Sequence, residues 1–159
     1  MTRAIKLTPV STQKRPLFAS YSTSLWVRFL RFNLSSHKKL EFDLGKVGLT
    51  PPQFYVLATI GYSGSLAFGE IGAKMMVTVS NLTGIVDRLE EKKLVVRKRD
   101  DTDRRVVHVT LTEKGTNLYK STIPLFEKSL SEIFASLDLP RQKELSALLR
   151  TLNHATLPG

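Results

Sequence analysis

The chain lacks cysteine, has few acidic residues and has no long apolar run. Without cysteine, its 159 residues cannot form disulfides, thiolate metal sites or cysteine-based redox sensors. No apolar run approaches the ~20 residues that a membrane-spanning helix needs. The N-terminus also lacks the continuous apolar core of a secretory signal. We therefore expect a cytoplasmic protein with no membrane segment.

The shortage of acidic residues leaves the chain strongly basic. Lys and Arg number 24 against 14 Asp and Glu, which gives a net charge of +10 and a pI of about 10.0. This excess favours a polyanionic partner but does not identify one. The hydrophobic fraction of 42% is typical of a globular protein, and the length suffices for one domain with a core.

The segment from Leu94 to Gly115 predicts a charged β-hairpin. Val95 and Val96 favour an outgoing strand, and a returning strand is indicated by Val106, Val107, Val109 and Leu111. Between them, residues 97–105 hold five cations and three aspartates. A turn alone needs only small residues, so this tip indicates contact with an anionic partner, for which phosphate backbones are the obvious candidate.

Helical patterns precede the hairpin. They predict a long helix from Tyr21 to about Leu40, a second from Pro51 that is capped by Thr50 and ended by Gly61 and Gly64, and a short one over 68–75. A further helix, capped by Thr78, should run to about Lys92 with a buried stripe at Leu82, Ile85, Val86 and Leu89. Two helices joined by a short turn, the second polar outside, predict a helix-turn-helix, which the hairpin makes winged.

Two helices should follow the hairpin. The first covers about Thr112 to Leu137 with a kink at Pro124, and the second begins at Leu139 and Pro140. The predicted fold is mainly α with a small β-hairpin. Its expected organisation is a basic arm (1–18), a dimerisation helix region (19–48), a winged helix-turn-helix domain (49–113) and C-terminal dimerisation helices (114–159).

The terminal regions leave two questions open. The basic arm is either a frayed terminus, which is the commoner case, or a segment that contacts DNA or a partner subunit. The outer helices are more apolar than a small winged domain needs, so their stripes must be buried. They could pack on the winged core of one chain, but interleaving with a second subunit explains them better.

Several short motifs, taken together and in order, resemble the MarR family of bacterial winged-helix regulators. They are LTPPQFYVL (49–57), DRLE (87–90), LVVR (94–97), DRR (103–105) and LTEKG (111–115). The resemblance implies a helical dimer in which the helix from Thr78 enters the major groove. It further implies that Arg105 reaches the minor groove while Asp103 holds its guanidinium. Two residues depart from the family: Lys93 stands where glycine is usual, and Gly84 where many relatives carry a larger polar side chain.

The predicted DNA contacts fall on the helix-turn-helix and the wing. Ser80, Asn81 and Thr83 are suited to base edges, although the same residues also fit a solvated helix face. The arginines and Lys98 are expected at phosphates or in solvent, apart from Arg105. The full predicted set is Thr78, Ser80, Asn81, Thr83, Arg88, Arg97, Arg99, Asp103, Arg104 and Arg105.

An effector pocket is a further implication of the resemblance, since such regulators often bind a small aromatic or phenolic acid. Six residues could line it: Trp26, Arg28, Phe29, Phe54, Tyr55 and Tyr62. Each ring taken singly is more easily explained as core. A regulator without a ligand also stays open.

No catalytic or metal-binding pattern stands out. The three histidines, His37, His108 and His154, are far apart, and no Ser/His/Asp set, carboxylate pair or phosphate loop appears. We expect no enzyme, no cofactor and no metal. The leading hypothesis is a homodimeric, ligand-responsive repressor that binds a palindromic operator in double-stranded DNA. The alternatives are a sequence-independent architectural DNA-binding protein and a protein-interaction module built on the winged fold.

Overall fold

The computed structural model describes residues 20–156, with side chains as far as residue 153. The chain divides into two compact units, residues up to 35 and residues from 36 onward. The predicted basic arm and the side chain of His154 lie outside the described residues. The first helix, α1, covers Tyr21–Gly45 and so continues five residues beyond the predicted end.

The second unit contains the remaining elements, in the predicted order apart from one short strand that the sequence did not predict. They are α2 (Pro51–Ser63), β1 (Leu66–Ala67), α3 (Phe68–Met75), α4 (Val79–Glu91), β2 (Val95–Arg99), β3 (Val107–Leu111), α5 (Glu113–Ile133) and α6 (Leu139–Thr156). Gly61 lies inside α2, and Gly64 alone ends that helix. Pro124 lies inside α5, which ends four residues before the predicted limit; the kink there stays a prediction. No helix in the described part of the chain is long and apolar enough to cross a membrane.

The mainly helical fold class is confirmed, but the sheet has a strand that the sequence did not predict. Its order is β1-β3-β2 and both pairs are antiparallel. β1 has only two residues, with Leu66 opposite Val109, so no alternation could have revealed it. This short strand extends the hairpin into a three-stranded sheet at the base of the wing.

One hydrophobic core joins α2, α3, α4 and the sheet. Leu82, Val86 and Leu89 of α4 are fully buried in it, as their spacing predicts. Its buried members are Leu44, Leu49, Phe54, Val56, Leu57, Ile60, Leu66, Ile71, Leu82, Val86, Leu89, Leu94, Val95 and Val109. The outer face of α4 is therefore held at a fixed place on the surface of this core.

Lys93, the second residue after α4, has a left-handed backbone conformation with φ +60°. The amide of Lys93 donates to the carbonyl of Glu90 at 2.8 Å, and that of Leu94 donates to the carbonyl of Leu89 at 2.9 Å. These two bonds define a Schellman cap, in which a residue other than glycine costs about 1–2 kcal/mol. Lysine thus adopts the backbone geometry expected of the usual glycine, at some cost in strain.

The LTEKG motif has a packing explanation. Thr112 caps α5: its hydroxyl accepts from the amide of Gly115 at 2.9 Å and donates to the carbonyl of Lys93 at 2.8 Å. A Cβ on Gly115 would lie 1.9 Å from the carbonyl oxygen of Leu94. The motif therefore fixes the end of β3 and the start of α5 against the end of α4.

Asp43 joins the C-terminal part of α1 to α5. Asp43 is 5% exposed, and its carboxylate accepts hydrogen bonds from Lys39 (2.8 Å), Lys46 (2.6 Å) and the Ser129 hydroxyl (2.8 Å). These bonds, that from Lys39 above all, hold the pKa of Asp43 well below its ordinary range. The carboxylate is therefore charged at neutral pH and ties two helices together.

Candidate nucleic-acid interface

Helix α4 is the second helix of the helix-turn-helix, and we call it the recognition helix. Its outer face carries small, polar side chains. Thr78 caps the helix, with its hydroxyl accepting from the amide of Asn81 at 3.4 Å. The predicted base-contacting residues Ser80, Asn81 and Thr83 are all exposed, as is Arg88 one to two turns later. Because the opposite face packs in the core, these side chains point outward as one group.

Gly84 lies in the middle of that outer face. A Cβ built there would meet nothing within 4 Å, so packing does not require glycine at this position. Around it lies a shallow open groove of about 470 Å³, bordered among others by Gln53, Ser80, Asn81 and Arg88. The outer face of α4 therefore has a shallow recess at its centre, with room for a larger side chain at residue 84.

The turn of the wing is organised by Asp100. Its carboxylate accepts from the Thr102 hydroxyl, from the amides of Thr102 (2.8 Å) and Asp103 (3.0 Å), and it contacts His108 Nε2 at 3.1 Å. These bonds, led by that from the Thr102 hydroxyl, lower the pKa of Asp100 well below its ordinary range. One of the three aspartates in the basic tip thus holds the turn itself.

Asp103 and Arg105 form the bidentate pair that the resemblance implied. Arg105 donates from Nε and Nη2 to the two carboxylate oxygens, each at 3.1 Å, and its amide donates to Oδ1 at 3.0 Å. The Arg105 side chain is 91% exposed, and the bond from its guanidinium is the main cause of a lowered pKa at Asp103. The carboxylate therefore fixes the direction of a guanidinium that extends from the wing into solvent.

Arg97 differs from the other cations of the wing. Its Nη1 lies 2.7 Å from carboxylate oxygens of both Asp87 and Glu90, and its guanidinium packs over the ring of Phe68. The sequence placed Arg97 at phosphate or in solvent. The structure instead shows an arginine committed to two acids of α4, because the hairpin folds back onto that helix.

Arg99 and Arg104 are exposed on the wing, as expected for cations that meet phosphate or solvent. The structure thus gathers two sets of predicted residues, one on α4 and one on the wing, on the same winged unit. Sequence reasoning missed the side chains that arrange them, namely Asp87, Glu90, Phe68, Asp100 and His108. The acids of the DRLE motif were the available signal, since they recur at the spacing of one helix face.

The six predicted pocket residues do not share one environment. Phe54 is buried in the core, with its ring 4.6 Å from that of Phe126, so it is a core residue and not a pocket wall. Tyr55 is 36% exposed, and its partial burial raises its pKa, whereas Tyr62 is 88% exposed. In the first unit, Trp26 and Phe29 stack with ring centres 6.0 Å apart, and Arg28 is exposed.

Helices α3 and α4, followed by the β2–β3 hairpin, define the class of the protein: it is a winged helix-turn-helix protein. The chain belongs to the MarR family of transcriptional regulators. The family's profile matches residues 49–107. The HTH-type transcriptional regulator MhqR of Bacillus subtilis is 32% identical over 116 residues, which cover 73% of this chain and 80% of MhqR.

Solved structures agree with this assignment. A C80S mutant of MarR from Escherichia coli, complexed with operator DNA, is 25% identical, covers 81% of this chain and 93% of its own, and has a TM-score of 0.77. The organohalide-sensing regulator RdhR in its 2,4-dichlorophenol-bound form has the same fold, with a TM-score of 0.84, 21% identity and coverage of 95% and 91%. The family is one of regulators and not of enzymes.

Proposed function

We propose that the chain is a sequence-specific repressor that binds a palindromic operator in double-stranded DNA as a homodimer. The observation that carries this proposal is the pairing of an exposed, polar recognition helix with an aimed arginine on the wing. An α-helix fits the major groove, and a planar cation suits the narrow, electronegative minor groove beside it. One winged unit can therefore read both grooves of a half-site.

In this proposal the predicted residues take different roles. Ser80, Asn81 and Thr83 meet base edges, with Asn81 suited to adenine. Arg105 enters the minor groove, and Asp103 keeps its direction. Arg88, Arg99 and Arg104 neutralise phosphates, which supports affinity without selecting a sequence. Thr78 fixes the start of the helix on which the base contacts lie.

The homodimer is supported by apolar side chains that the described chain leaves uncovered. Leu139 and Leu148 of α6 are more than half exposed, and so are Leu25 and Trp26 on the first unit's part of α1. A second copy offers the same apolar surfaces, so a two-fold dimer can bury both sets. We accordingly propose that residues 19–48 and 114–159 dimerise and that residues 49–113 bind DNA.

We further propose control by a small aromatic or phenolic molecule. The 2,4-dichlorophenol bound to RdhR supports this ligand class. Trp26, Arg28, Phe29, Tyr55 and Tyr62 stay as proposed contacts, since each has an exposed or half-buried side chain. Release of the operator would follow from a changed spacing of the two winged units. A regulator of this kind works at the chromosome, so we place it in the cytoplasm, and we expect no catalytic activity.

The decisive experiment is selection of random duplex DNA by the purified full-length protein at physiological salt, read out by sequencing. We expect a palindrome whose half-sites lie about one helical turn, ~34 Å, apart. Binding without any enriched motif would contradict sequence-specific repression and favour an architectural role instead. No binding at all would remove the DNA-binding proposal. Size-exclusion chromatography with light scattering tests the dimer independently.

A further inference from the structure

Arg97 lies at the contact between the wing and the recognition helix. It is the middle residue of β2, where it is paired with the buried Val109 of β3. Its side chain is only 25% exposed and crosses to α4. Any movement of the wing relative to α4 must therefore displace this side chain.

The contacts of Arg97 to α4 cover two turns of that helix. Nη1 lies 2.7 Å from Oδ1 of Asp87 and 2.7 Å from Oε2 of Glu90, and the Arg97 amide donates to Oε1 of Glu90 at 3.3 Å. Nη2 reaches the carbonyl of Thr83 at 3.5 Å. Glu90 thus binds both the amide and the guanidinium of Arg97. It therefore holds the backbone of β2 in place as well as pairing with the positive charge.

Phe68 completes the environment from the side of α3. Its ring centre lies 5.7 Å from Cζ of Arg97, within the range of a cation–π contact. The ring is itself packed against the hydrophobic core. The guanidinium is therefore held by two carboxylates at its edge and by an aromatic ring at its face.

This environment does not suit contact with phosphate. A phosphate group approaching Arg97 would be repelled by the two adjacent carboxylates and would have to displace them at 2.7 Å. Arg105, in contrast, has one carboxylate partner and a side chain that is 91% exposed. Among these two arginines of the wing, only Arg105 is available to DNA.

We propose that Arg97 is a positioning residue, which sets the distance between the wing and the recognition helix without touching DNA. The proposal rests on the DNA-binding function proposed above. A half-site requires α4 in the major groove and Arg105 in the adjacent minor groove at the same time. Asp87 and Glu90 act with Arg97, so these two acids contribute to operator recognition even though they repel DNA.

Because Asp87 and Glu90 are negatively charged, electrostatics and the positioning role predict opposite effects of removing their charges. The double variant Asp87→Asn, Glu90→Gln removes two negative charges from the DNA-binding unit, which by electrostatics alone should tighten binding. A matched control, Glu91→Gln with Asp101→Asn, removes two charges from exposed residues outside the cluster. We expect the first variant to bind the selected operator at least tenfold more weakly, and the control to bind as well as the wild type or better.

A second variant distinguishes positioning from phosphate contact. Loss of one phosphate contact lowers the slope of log K against log salt by about 0.9. We expect Arg97→Gln to weaken operator binding with the wild-type slope, whereas Arg99→Gln, on the same strand but exposed, should lower the slope. Circular dichroism and thermal unfolding show whether each variant is folded.

Hydrogen exchange of the free protein measures the wing without DNA. We expect faster amide exchange over residues 97–107 in the Asp87→Asn, Glu90→Gln variant than in its matched control. Equal exchange, operator binding equal to that of the control, or a slope lowered by Arg97→Gln would each overturn the positioning role. Failure of the wild type to select any sequence would instead refute the proposed function, while the exchange measurement would still test the role of Arg97.

Discussion

Helices α4 and α6 carry the same apolar pattern but bury it to very different degrees. Leu82, Val86 and Leu89 of α4 are 0% exposed. In α6, Leu145, Leu148 and Leu149 recur at helical spacing, yet Leu148 is 58% exposed. The pattern therefore shows which face of a helix is apolar, but not which surface covers that face. The apolar face of α4 packs against this chain's own core, and we propose that the apolar face of α6 packs against a second subunit.

The largest effect on operator binding should come from disrupting the proposed dimer contact of α6. Leu148→Glu places a charge in the apolar stripe, so we expect a monomer at micromolar concentration. Its operator affinity should fall at least about 100-fold, because each half-site is then bound without the avidity of a linked pair. Analytical ultracentrifugation and fluorescence anisotropy measure the two changes.

The control for Leu148→Glu is Ala147→Glu. This change adds the same charge one residue earlier, on the other side of α6. We expect it to remain dimeric with nearly unchanged operator affinity. If both variants stayed dimeric, α6 would not be the interface, and the exposed leucines would need another partner.

A smaller effect should follow from changing the winged unit while leaving the dimer intact. Arg105→Ala removes the aimed guanidinium, and we expect a loss of about 1–3 kcal/mol, or about 5- to 150-fold, in operator binding. Binding to non-specific duplex should change much less. The ratio of the two affinities, measured at matched salt, is therefore the quantity that should fall.

Arg104→Ala is the matched comparison, since Arg104 is the exposed neighbour that we propose at phosphate. We expect it to weaken specific and non-specific binding alike, so that the ratio of affinities is kept. If the ratio of specific to non-specific affinity fell equally in both variants, the wing would contribute only positive charge, and the direction of the Arg105 guanidinium would not matter.

The smallest effect concerns the joint between α1 and α5. The pKa of Asp43 in the folded chain lies below its ordinary value, so the stabilisation is complete above that ordinary value, about 4, and is lost progressively as pH falls from there towards the lower pKa of the folded chain. Asp43→Asn should be less stable than the wild type at pH 7, and the gap should narrow on acidification. Urea unfolding at pH 7, 5, 4 and 3 measures the free energy of unfolding of both proteins.

An exposed carboxylate provides the control for this series. Asp101 has a side chain that is 86% exposed, so Asp101→Asn should leave the free energy of unfolding close to that of the wild type at every pH. A gap for Asp43→Asn that stayed constant with pH would indicate that packing, and not the charge of the carboxylate, joins the helices.

The sequence by itself determined much of the local structure. Periodic leucines, the caps at Thr50 and Thr78 and the valines of the wing predicted the order of the helices and of the two hairpin strands in the second unit, with most of their limits. These features depend on neighbours in sequence, so local patterns suffice to predict them.

Only the tertiary structure decided the roles that depend on distant residues. Phe54 became core because α5 brings Phe126 against it, and Arg97 became a positioning residue because the hairpin returns to Asp87 and Glu90. β1 exists because β3 passes beside Leu66. A side chain's periodicity or charge is a property of the sequence, whereas its burial and its partners depend on which elements the fold places against it.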